Sequence, residues 1–323
     1  MISRVAGSCF WLHRYLERAQ SVAQLLRVNR SFVLDVPVDE IEKHYPLIIV
    51  CGEQARFDAR VEPSLRHDRD VVEDYLTWDG ESPVSLRSSL YWARENARTT
   101  REVISLEMWE SLNDVWTFVR FGAGRRKYNT DRDAFFKRIK DGCDLVLGQT
   151  ESTLLEGEPL DFMRLGRFLE RANQTARMLD VKHHTLGPPR GAETPVETAQ
   201  WNALLYSCGA AEAYHKRWPA RPDGRSIADF LVKEPDLPRS VLGSLLRARD
   251  TLARIRAAGH PALGVAAERA LDALVAHARE APLGAALHEE LTHVIDETTT
   301  ICVALERDYF DPGDQRALLE PAP

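Results

Sequence analysis

Apolar residues recur at steps of three and four through most of the chain, which is the spacing of one face of an α-helix. The N-terminal segment shows this most clearly, with a stripe formed by Val5, Cys9, Leu12, Leu16, Ala19, Ala23 and Leu26. A second long stripe runs from Phe162 to Leu179, and shorter ones begin at Leu86 and Leu242. Joints rich in glycine and proline separate the segments. The pattern predicts an all-α fold made of many helices.

Two blocks of sequence occur twice. The string RYLERAQSVAQLLRV at Arg14–Val28 returns as RFLERANQTARMLDV at Arg167–Val181. Several positions of Pro83–Glu95 return in the same order within Pro238–Asp250. Because both blocks repeat at nearly the same separation, a tandem internal duplication explains them better than chance does.

The duplication divides the chain into a first helical repeat, residues 1–155, and a second one, residues 156–310. Two copies are too few for an open solenoid, so we expect one compact multi-helix bundle with pseudo-two-fold symmetry. Residues 311–323 contain helix breakers and have no helical periodicity, and we expect a loose C-terminal tail there.

Two short stretches need a separate interpretation. Pro46–Val50 has the local composition of a β-strand, but its counterpart Asn202–Tyr206 has that of a helix, so we predict a buried helix for both. Gly122–Lys127 resembles a phosphate-binding loop but has no preceding strand and lacks the rest of a nucleotide motif. We predict a basic loop between two helices.

Composition narrows the class of partner. Apolar residues make up 44% of the chain and charged residues 28%, which is typical of a globular protein and excludes collagen-like or wholly disordered chains. The net charge is −7, so no overall basic field attracts nucleic acid or an anionic membrane. The longest apolar run, Pro46–Cys51, is far too short to cross a bilayer. We therefore expect neither nucleic acid nor membrane as a partner.

The cysteines are widely separated and include no C-x-x-C pair; they are Cys9, Cys51, Cys143, Cys208 and Cys302. An odd, scattered set of this kind is typical of reduced, buried thiols. We expect a cytoplasmic protein, because disulfides are rare in that compartment.

The repeated block contains the same charged motif twice, on helices that are otherwise apolar on most sides. Its members are Arg14, Glu17 and Arg18 in the first copy and Arg167, Glu170 and Arg171 in the second. A helix that is apolar on most sides is usually buried between neighbours, so these charges should not lie on an ordinary solvated face.

Two interpretations of the motif remain open. In the structural one, an arginine and a glutamate three residues apart pair along each helix, with possible bridges between the two copies. In the functional one, both motifs line a shared polar cavity whose guanidinium groups bind a carboxylate or phosphate. Glu17 and Glu170 are then the candidate catalytic residues, and they should stay ionised among so many arginines.

A second polar set repeats less completely. Arg94, Glu95, Arg98 and Arg101 are weaker candidates for substrate binding, and Arg94, Arg98 and Arg101 are spaced to share one helix face. The alternative is a solvated charged face with ordinary pairing along the helix. Trp109 occurs only in the first copy and is more often a core residue than a ligand platform.

Metal and cofactor sites are not indicated. The string HEELTH at His288–His293 is one residue too long for the zinc-protease spacing. Glu212 with His215, and Glu290 with His293, have the spacing of di-metal carboxylate bundles, but both pairs lie in the second half without matching partner glutamates. We predict no metal and no cofactor.

Several strings resemble the alpha-E family, an all-helical bacterial family of unknown function named for its Glu-Arg motif. They are ISRVA at Ile2–Ala6, WLHRYLERA at Trp11–Ala19, ARENAR at Ala93–Arg98, WESLN at Trp109–Asn113 and LGRFLERA at Leu165–Ala172. The resemblance extends to about residue 310 and places the family's motif at Glu17-Arg18 and Glu170-Arg171. The sequence departs from the family pattern at Gly7–Phe10 and at Leu160.

The resemblance implies a genomic context. Members of the family are encoded beside, or fused to, circularly permuted ATP-grasp amidoligase-like proteins. They also accompany transglutaminase-like peptidases and proteasome-like hydrolases, which suggests a pathway that builds or modifies a peptide or amide.

Two functional hypotheses follow. In the first, the chain is a helical partner or substrate-binding subunit that works with the ATP-grasp protein. In the second, it is an enzyme whose paired Glu-Arg motifs act on a carboxylated peptide or amino-acid-like substrate. The first is favoured, because a cluster of glutamates and arginines lacks a nucleophile, a metal and a cofactor.

Overall fold

The computed structural model describes residues 3–35, 44–186, 194–218, 223–258, 261–284 and 286–310, and these residues are mostly helical. The described residues contain no β-strand, which confirms the all-α class. The tail predicted at residues 311–323 lies outside the described residues.

The N-terminal part of the described chain forms eight α-helices. They are α1 (Ser3–Asp35), α2 (Tyr45–Val50), α3 (Gln54–Arg60), α4 (Arg69–Trp78), α5 (Leu86–Thr99), α6 (Leu106–Arg120), α7 (Ala123–Thr130) and α8 (Arg132–Thr153). A single 3-10 turn, Pro63–Leu65, lies between α3 and α4.

The C-terminal part of the described chain forms seven more α-helices. They are α9 (Glu158–Leu186), α10 (Pro195–Ser207), α11 (Ala211–Arg217), α12 (Gly224–Lys233), α13 (Val241–Ala258), α14 (Val265–Glu280) and α15 (Leu287–Leu305). Helix α15 continues into a short π-helical turn at Glu306–Phe310.

Polar side chains begin several of these helices. Each one accepts a hydrogen bond from a backbone N–H of the first turn, and the capping residues include Asp68, Ser85, Ser105, Asp131, Thr194 and Asp223. Such caps satisfy N–H groups that have no partner inside the helix. The local sequence therefore determines where these helices start.

Helices α1 and α9 form the centre of the molecule. Helix α1 packs against α9, α5 and α8, while α9 also packs against α13 and α15. Buried apolar side chains from both parts of the chain, such as Leu16 and Leu169, belong to one continuous core. This placement explains why α1 is apolar on most sides.

The backbones of α1 and α9 come close together at Gly166, beside the charged motifs. A Cβ atom at Gly166 would clash with the carbonyl oxygen of Phe10. A side chain at this position would therefore push the two helices apart, and the glycine allows their backbones to meet.

The short stretches give mixed outcomes. Pro46–Val50 lies in α2 and Asn202–Tyr206 lies in α10, so the prediction of helix is confirmed for both. The loop predicted at Gly122–Lys127 is wrong, because α7 begins at Ala123. After a tight turn at Gly122, the arginines and lysine favour a helix, since long unbranched side chains lose little freedom there.

A helix that crosses a membrane must be both long and apolar. Among the described residues, no helix has both the length and the apolar character that a crossing requires.

Candidate functional site

The two copies of the charged motif face each other across the interface of α1 and α9. The side chains of Glu17 and Glu170 have relative exposures of 0% and 2%. Burial of an unpaired carboxylate costs several kcal/mol. The arrangement of the surrounding arginines therefore decides whether this interface can exist.

Glu170 of α9 is held by arginines of α1. Arg18 donates from Nε to Oε1 at 2.7 Å and from Nη2 to Oε2 at 3.0 Å. Arg14 donates from Nε to Oε2 at 2.9 Å. Gln174, one turn further along α9, donates from Nε2 to Oε1 at 3.0 Å. Both carboxylate oxygens thus have two donors each.

Glu17 of α1 is held in the reverse sense. Arg171 of α9 donates from Nε to Oε1 and from Nη2 to Oε2, both at 2.8 Å. Arg167 Nε lies 3.5 Å from Oε2. Arg239, in the segment before α13, places Nη1 3.0 Å from Oε1.

The ion pairs connect the two helices and do not run along either one. Among the described residues, Glu17 pairs with no arginine of α1, and Glu170 pairs with none of α9. The predicted pairing within each helix is therefore wrong, whereas the bridges between the copies are present. Each glutamate reaches both arginines of the opposite motif because the helices pack side by side.

The same arginines also hold the segments that precede α5 and α13. Arg18 Nη1 donates to the carbonyl oxygen of Pro83, and Arg171 Nη1 donates to that of Pro238, each at 3.4 Å. These prolines are equivalent in the predicted duplication. The duplicated motif thus makes the same backbone contact in both parts of the molecule.

Both carboxylates are ionised at neutral pH. Burial by itself raises the pKa of Glu170, but Arg18 and Arg14 outweigh it and lower that pKa to about 2. For Glu17, burial is likewise outweighed by Arg171 and Arg239, and the pKa lies far below its usual range. This direction agrees with the expectation of ionised glutamates, and an ionised carboxylate is a poor general acid at neutral pH.

A buried histidine adjoins this network. His13 is 1% exposed, and its Nε2 lies 3.2 Å from Thr150 Oγ1. Burial, and to a lesser extent the positive charge of Arg167, lower the pKa of His13 to about 3, while Glu17 opposes them. The imidazole is therefore neutral in the folded protein.

Two arginines of the interface were missed by the sequence interpretation. Arg239 and Arg177 correspond in the predicted duplication to Val84 and Gln24, so neither belongs to a repeated charge. Arg239 contacts Glu17, and it also donates from Nη2 to Gln20 Oε1 at 2.9 Å. An arginine that occurs in only one copy of the repeat gives no repeated signal, so comparing the two copies does not reveal it.

The second polar set forms its own network where α5 meets α6. Arg94 donates from Nε to Asn113 Oδ1 at 2.8 Å, and Arg94 and Arg98 both pair with Glu95. Arg101 lies beyond the end of α5, so the prediction that Arg94, Arg98 and Arg101 share one helix face is wrong.

Trp109 of α6 lies partly buried on this surface. The guanidinium carbons of Arg94 and Arg101 lie 5.3 and 4.6 Å from its ring centroid. An open surface cavity beside it is lined by Trp109, Glu110, Asn113, Asp114 and Thr117. Trp109 is therefore neither a simple core residue nor a member of the Glu-Arg network.

The possible metal and nucleophile groups have ordinary surroundings. Among the described residues, no group of three or more His, Cys, Asp or Glu side chains is placed to hold a metal ion. Glu212 and His215 lie on α11, and Glu290 and His293 lie on α15, where Glu290 contacts His277.

All five cysteines are buried and free, as expected for reduced structural thiols. Burial raises the pKa of Cys9, Cys51 and Cys208 to about 12, so these thiols are poor nucleophiles at neutral pH.

Fold and site together define an all-α protein whose two central helices are joined by an ion network in which a Glu-Arg motif occurs twice. The chain belongs to the Alpha-E family, described as a predicted alpha-helical domain with a conserved ER motif, which matches residues 1–310. The resemblance drawn from the motifs is thereby confirmed.

The curated relatives are longer than this chain. It is 24% identical over 266 residues to uncharacterized proteins of Mycobacterium tuberculosis and Mycobacterium bovis, and the match covers 77% of this chain and 29% of each relative. The chain thus spans less than a third of the length of these relatives. No solved structure is significantly similar to it.

Proposed function

We propose that the chain is a non-catalytic helical subunit that binds an ATP-grasp amidoligase-like protein, or the substrate of that protein, in the synthesis or modification of a peptide or amide. The observation that carries this proposal is the mutual pairing of the two Glu-Arg motifs. The motif that names the family joins the central helices and leaves no reactive group free.

The geometry of the carboxylates supports a role other than catalysis. Glu17 and Glu170 are buried, ionised and fully supplied with hydrogen-bond donors. A general base must reach a proton of the substrate, and these oxygens face arginines of the opposite helix instead. Loss of either carboxylate should therefore lower the stability of the fold, and any loss of activity should follow from that.

The length of the relatives supports cooperation with another protein or domain. In the mycobacterial proteins, the region similar to this chain is 29% of a much longer chain. In those proteins the helical module stands beside further sequence, a setting in which it can contact another domain. The identity of the partner is the proposal that the family resemblance provides.

The surface between α5 and α6 suits such contact. Tyr91 and Trp92 are 41% and 48% exposed, with ring centroids 5.0 Å apart. Tyr91 also lies 5.7 Å from Trp116 of α6, and Arg94 bonds to Asn113 of the same helix. Tryptophan, tyrosine and arginine are the residues most enriched in binding hot spots. We name the surface around the two exposed rings, Tyr91 and Trp92, the Trp92 face.

A pull-down tests the proposal. The immobilised chain is incubated with an ATP-grasp amidoligase-like protein from the same organism, with and without ATP. We expect retention by the wild-type chain and at least about tenfold weaker retention by Trp92→Ser, since loss of a hot-spot side chain costs about 2 kcal/mol. Val303→Ser is the matched control, because Val303 is 61% exposed and lies on α15, a different helix from that of Trp92.

The same preparations distinguish a partner from an enzyme. Activity that appears only when the two proteins are mixed supports the proposal. Turnover by the isolated chain, abolished by Glu17→Gln without loss of folded protein, contradicts it and favours the enzyme.

A further inference from the structure

Arg177 lies beside the Glu170 network without an acid of its own. Its Nε donates to Asn173 Oδ1 at 2.8 Å. Among the described residues, no Asp or Glu oxygen lies within 4 Å of the Arg177 guanidinium group, the distance of an ion pair. Arg14 and Arg18, in contrast, both pair with Glu170. We call Arg14, Arg18, Arg177 and Glu170 the Arg177 cluster.

The cluster holds more positive than negative charge. Three guanidinium groups are arranged around a single carboxylate, which Arg14 and Arg18 already occupy through both of its oxygens. Burial is the main effect that lowers the pKa of Arg177. The attraction of Glu170 opposes it more strongly than the repulsion from Arg18 adds to it, and Asp296 opposes it as well. In the free protein, burial of the Arg177 guanidinium group therefore carries a cost.

The backbone is shaped to receive Arg177. A Cβ atom at Gly52 would lie 2.7 Å from Arg177 Nη1, and Gly52 has a φ of +72°. This left-handed conformation favours glycine, and the missing side chain leaves room for the guanidinium group. The arginine is thus built into the fold beside Arg18 despite the repulsion between them.

The other end of the interface is better neutralised. There Arg239 and Arg171 both pair with Glu17, and Arg167 pairs with Glu151 at 3.3 Å in addition to its contact with Glu17. Each of those arginines has a carboxylate within ion-pair distance. Among the described arginines of the interface, Arg177 is thus the one without a carboxylate within ion-pair distance.

We propose that the Arg177 cluster binds a small oxyanion, a carboxylate or a phosphate group, between Arg18 and Arg177. Planar guanidinium groups recognise such anions through paired hydrogen bonds. Arg14 and Arg18 each keep 13% of the side chain exposed, and Arg177 is partly exposed as well. This inference rests on the proposed function in one respect, since it names the chemical group of the substrate that the subunit holds.

The test measures thermal unfolding of the isolated chain in sodium phosphate, sodium succinate and sodium chloride at equal ionic strength. A ligand that binds only the folded state raises the melting temperature increasingly as its concentration exceeds the dissociation constant. We compare the wild-type chain with Arg177→Gln, which introduces the residue found at the corresponding position 24. Arg217→Gln is the control, because Arg217 is 65% exposed and pairs weakly with Glu234 at 3.6 Å.

We expect phosphate or succinate to raise the melting temperature of the wild-type chain and of Arg217→Gln above the value in chloride. A rise in phosphate alone identifies a phosphoryl group as the ligand, and a rise in succinate alone identifies a carboxylate. Arg177→Gln should need at least about tenfold more anion for the same rise, the loss typical of one charged hydrogen-bonding partner.

In chloride, Arg177→Gln should melt close to the wild-type temperature, because the variant loses the cost of burying the guanidinium group together with the attraction of Glu170. A fall of more than about 4 °C assigns Arg177 a structural role and overturns the proposal. So does an anion response that is absent in the wild-type chain or unchanged in Arg177→Gln. The assay contains no partner protein, so its failure is distinguishable from failure of the pull-down.

Discussion

At the scale of single residues, the carboxylates of Glu17 and Glu170 are the most constrained groups of the interface. Each compensates the positive charge of arginines that are themselves largely withdrawn from water. Breaking a buried ion pair from one side leaves an uncompensated charge, which is far costlier than losing a surface pair. Stability is therefore the property most sensitive to these residues.

Replacement of either glutamate by glutamine should lower the free energy of unfolding by about 3–5 kcal/mol. Urea unfolding of Glu17→Gln and Glu170→Gln measures this, with Glu81→Gln as the control. Glu81 is 80% exposed in its pair with Arg60, so its replacement should change stability by less than about 0.5 kcal/mol. Unchanged stability in the two buried variants, with loss of activity in the reconstituted pathway, would instead identify a ligand-binding role.

His13 makes stability depend on pH in a range where the carboxylates do not. Its pKa is about 3 in the folded protein and 6.5 when unperturbed, so below pH 6.5 only the unfolded chain binds the proton. Stability should fall as the pH decreases from 6.5, by about 2 kcal/mol at pH 5. The depressed pKa values of Glu17 and Glu170 add a further loss only below about pH 4.5.

The variant His13→Gln isolates this contribution. The difference in unfolding free energy between pH 7 and pH 5, obtained from urea titrations, should shrink by about 2 kcal/mol relative to the wild-type chain. All other histidines contribute equally to both proteins. An identical pH dependence in the two proteins would mean that His13 is protonated in the folded state.

At the scale of helices, the crossing of α1 over α9 depends on one glycine. A methyl group at Gly166 would meet the backbone of Phe10, which has no flexible atom to move away. Gly166→Ala should therefore lower the free energy of unfolding by about 1–3 kcal/mol through overpacking. Gly148→Ala on α8 is the matched control, since nothing lies within 4 Å of its added carbon.

The control should behave in the opposite way. Alanine favours a helix over glycine by about 1 kcal/mol, so Gly148→Ala should leave stability unchanged or raise it. Thermal melts of both variants, followed by circular dichroism at 222 nm, measure the difference. Equal melting temperatures would show that α1 and α9 can separate slightly without cost.

At the scale of the whole molecule, the thiols report on the continuity of the core. The five cysteines are distributed over both parts of the chain, and all are buried and free. We expect negligible reaction with Ellman's reagent in the native protein and five equivalents after unfolding without reductant, because each thiol is shielded by packing. Fewer than five equivalents after unfolding would indicate a disulfide and contradict the expected compartment.

The internal duplication stays a prediction at this scale. The matching contacts of Arg18 with Pro83 and of Arg171 with Pro238 agree with it. Superposition of residues 1–155 on residues 156–310 should bring α1 onto α9 and α5 onto α13. A best superposition that pairs other helices would contradict the duplication.

The sequence by itself determined the helical class, most helix positions and the importance of the Glu-Arg motifs. Periodicity and caps act over a few residues, so Val5 to Leu26 and Ser85 show their structure locally. The apolar surroundings of Glu17 likewise predicted its burial. Gly122–Lys127 was misassigned because a short polar helix has no apolar stripe to distinguish it from a loop.

Only the tertiary structure decided which charges meet. Glu17 has an arginine three residues before it and another directly after it, yet it pairs with Arg167, Arg171 and Arg239. Arg177 entered the site in the same way, without any repeated signal. The energy of a buried ion pair depends on distances of a few ångströms between residues far apart in the chain. Those distances follow from how α1 and α9 cross, which spacing within one helix does not encode.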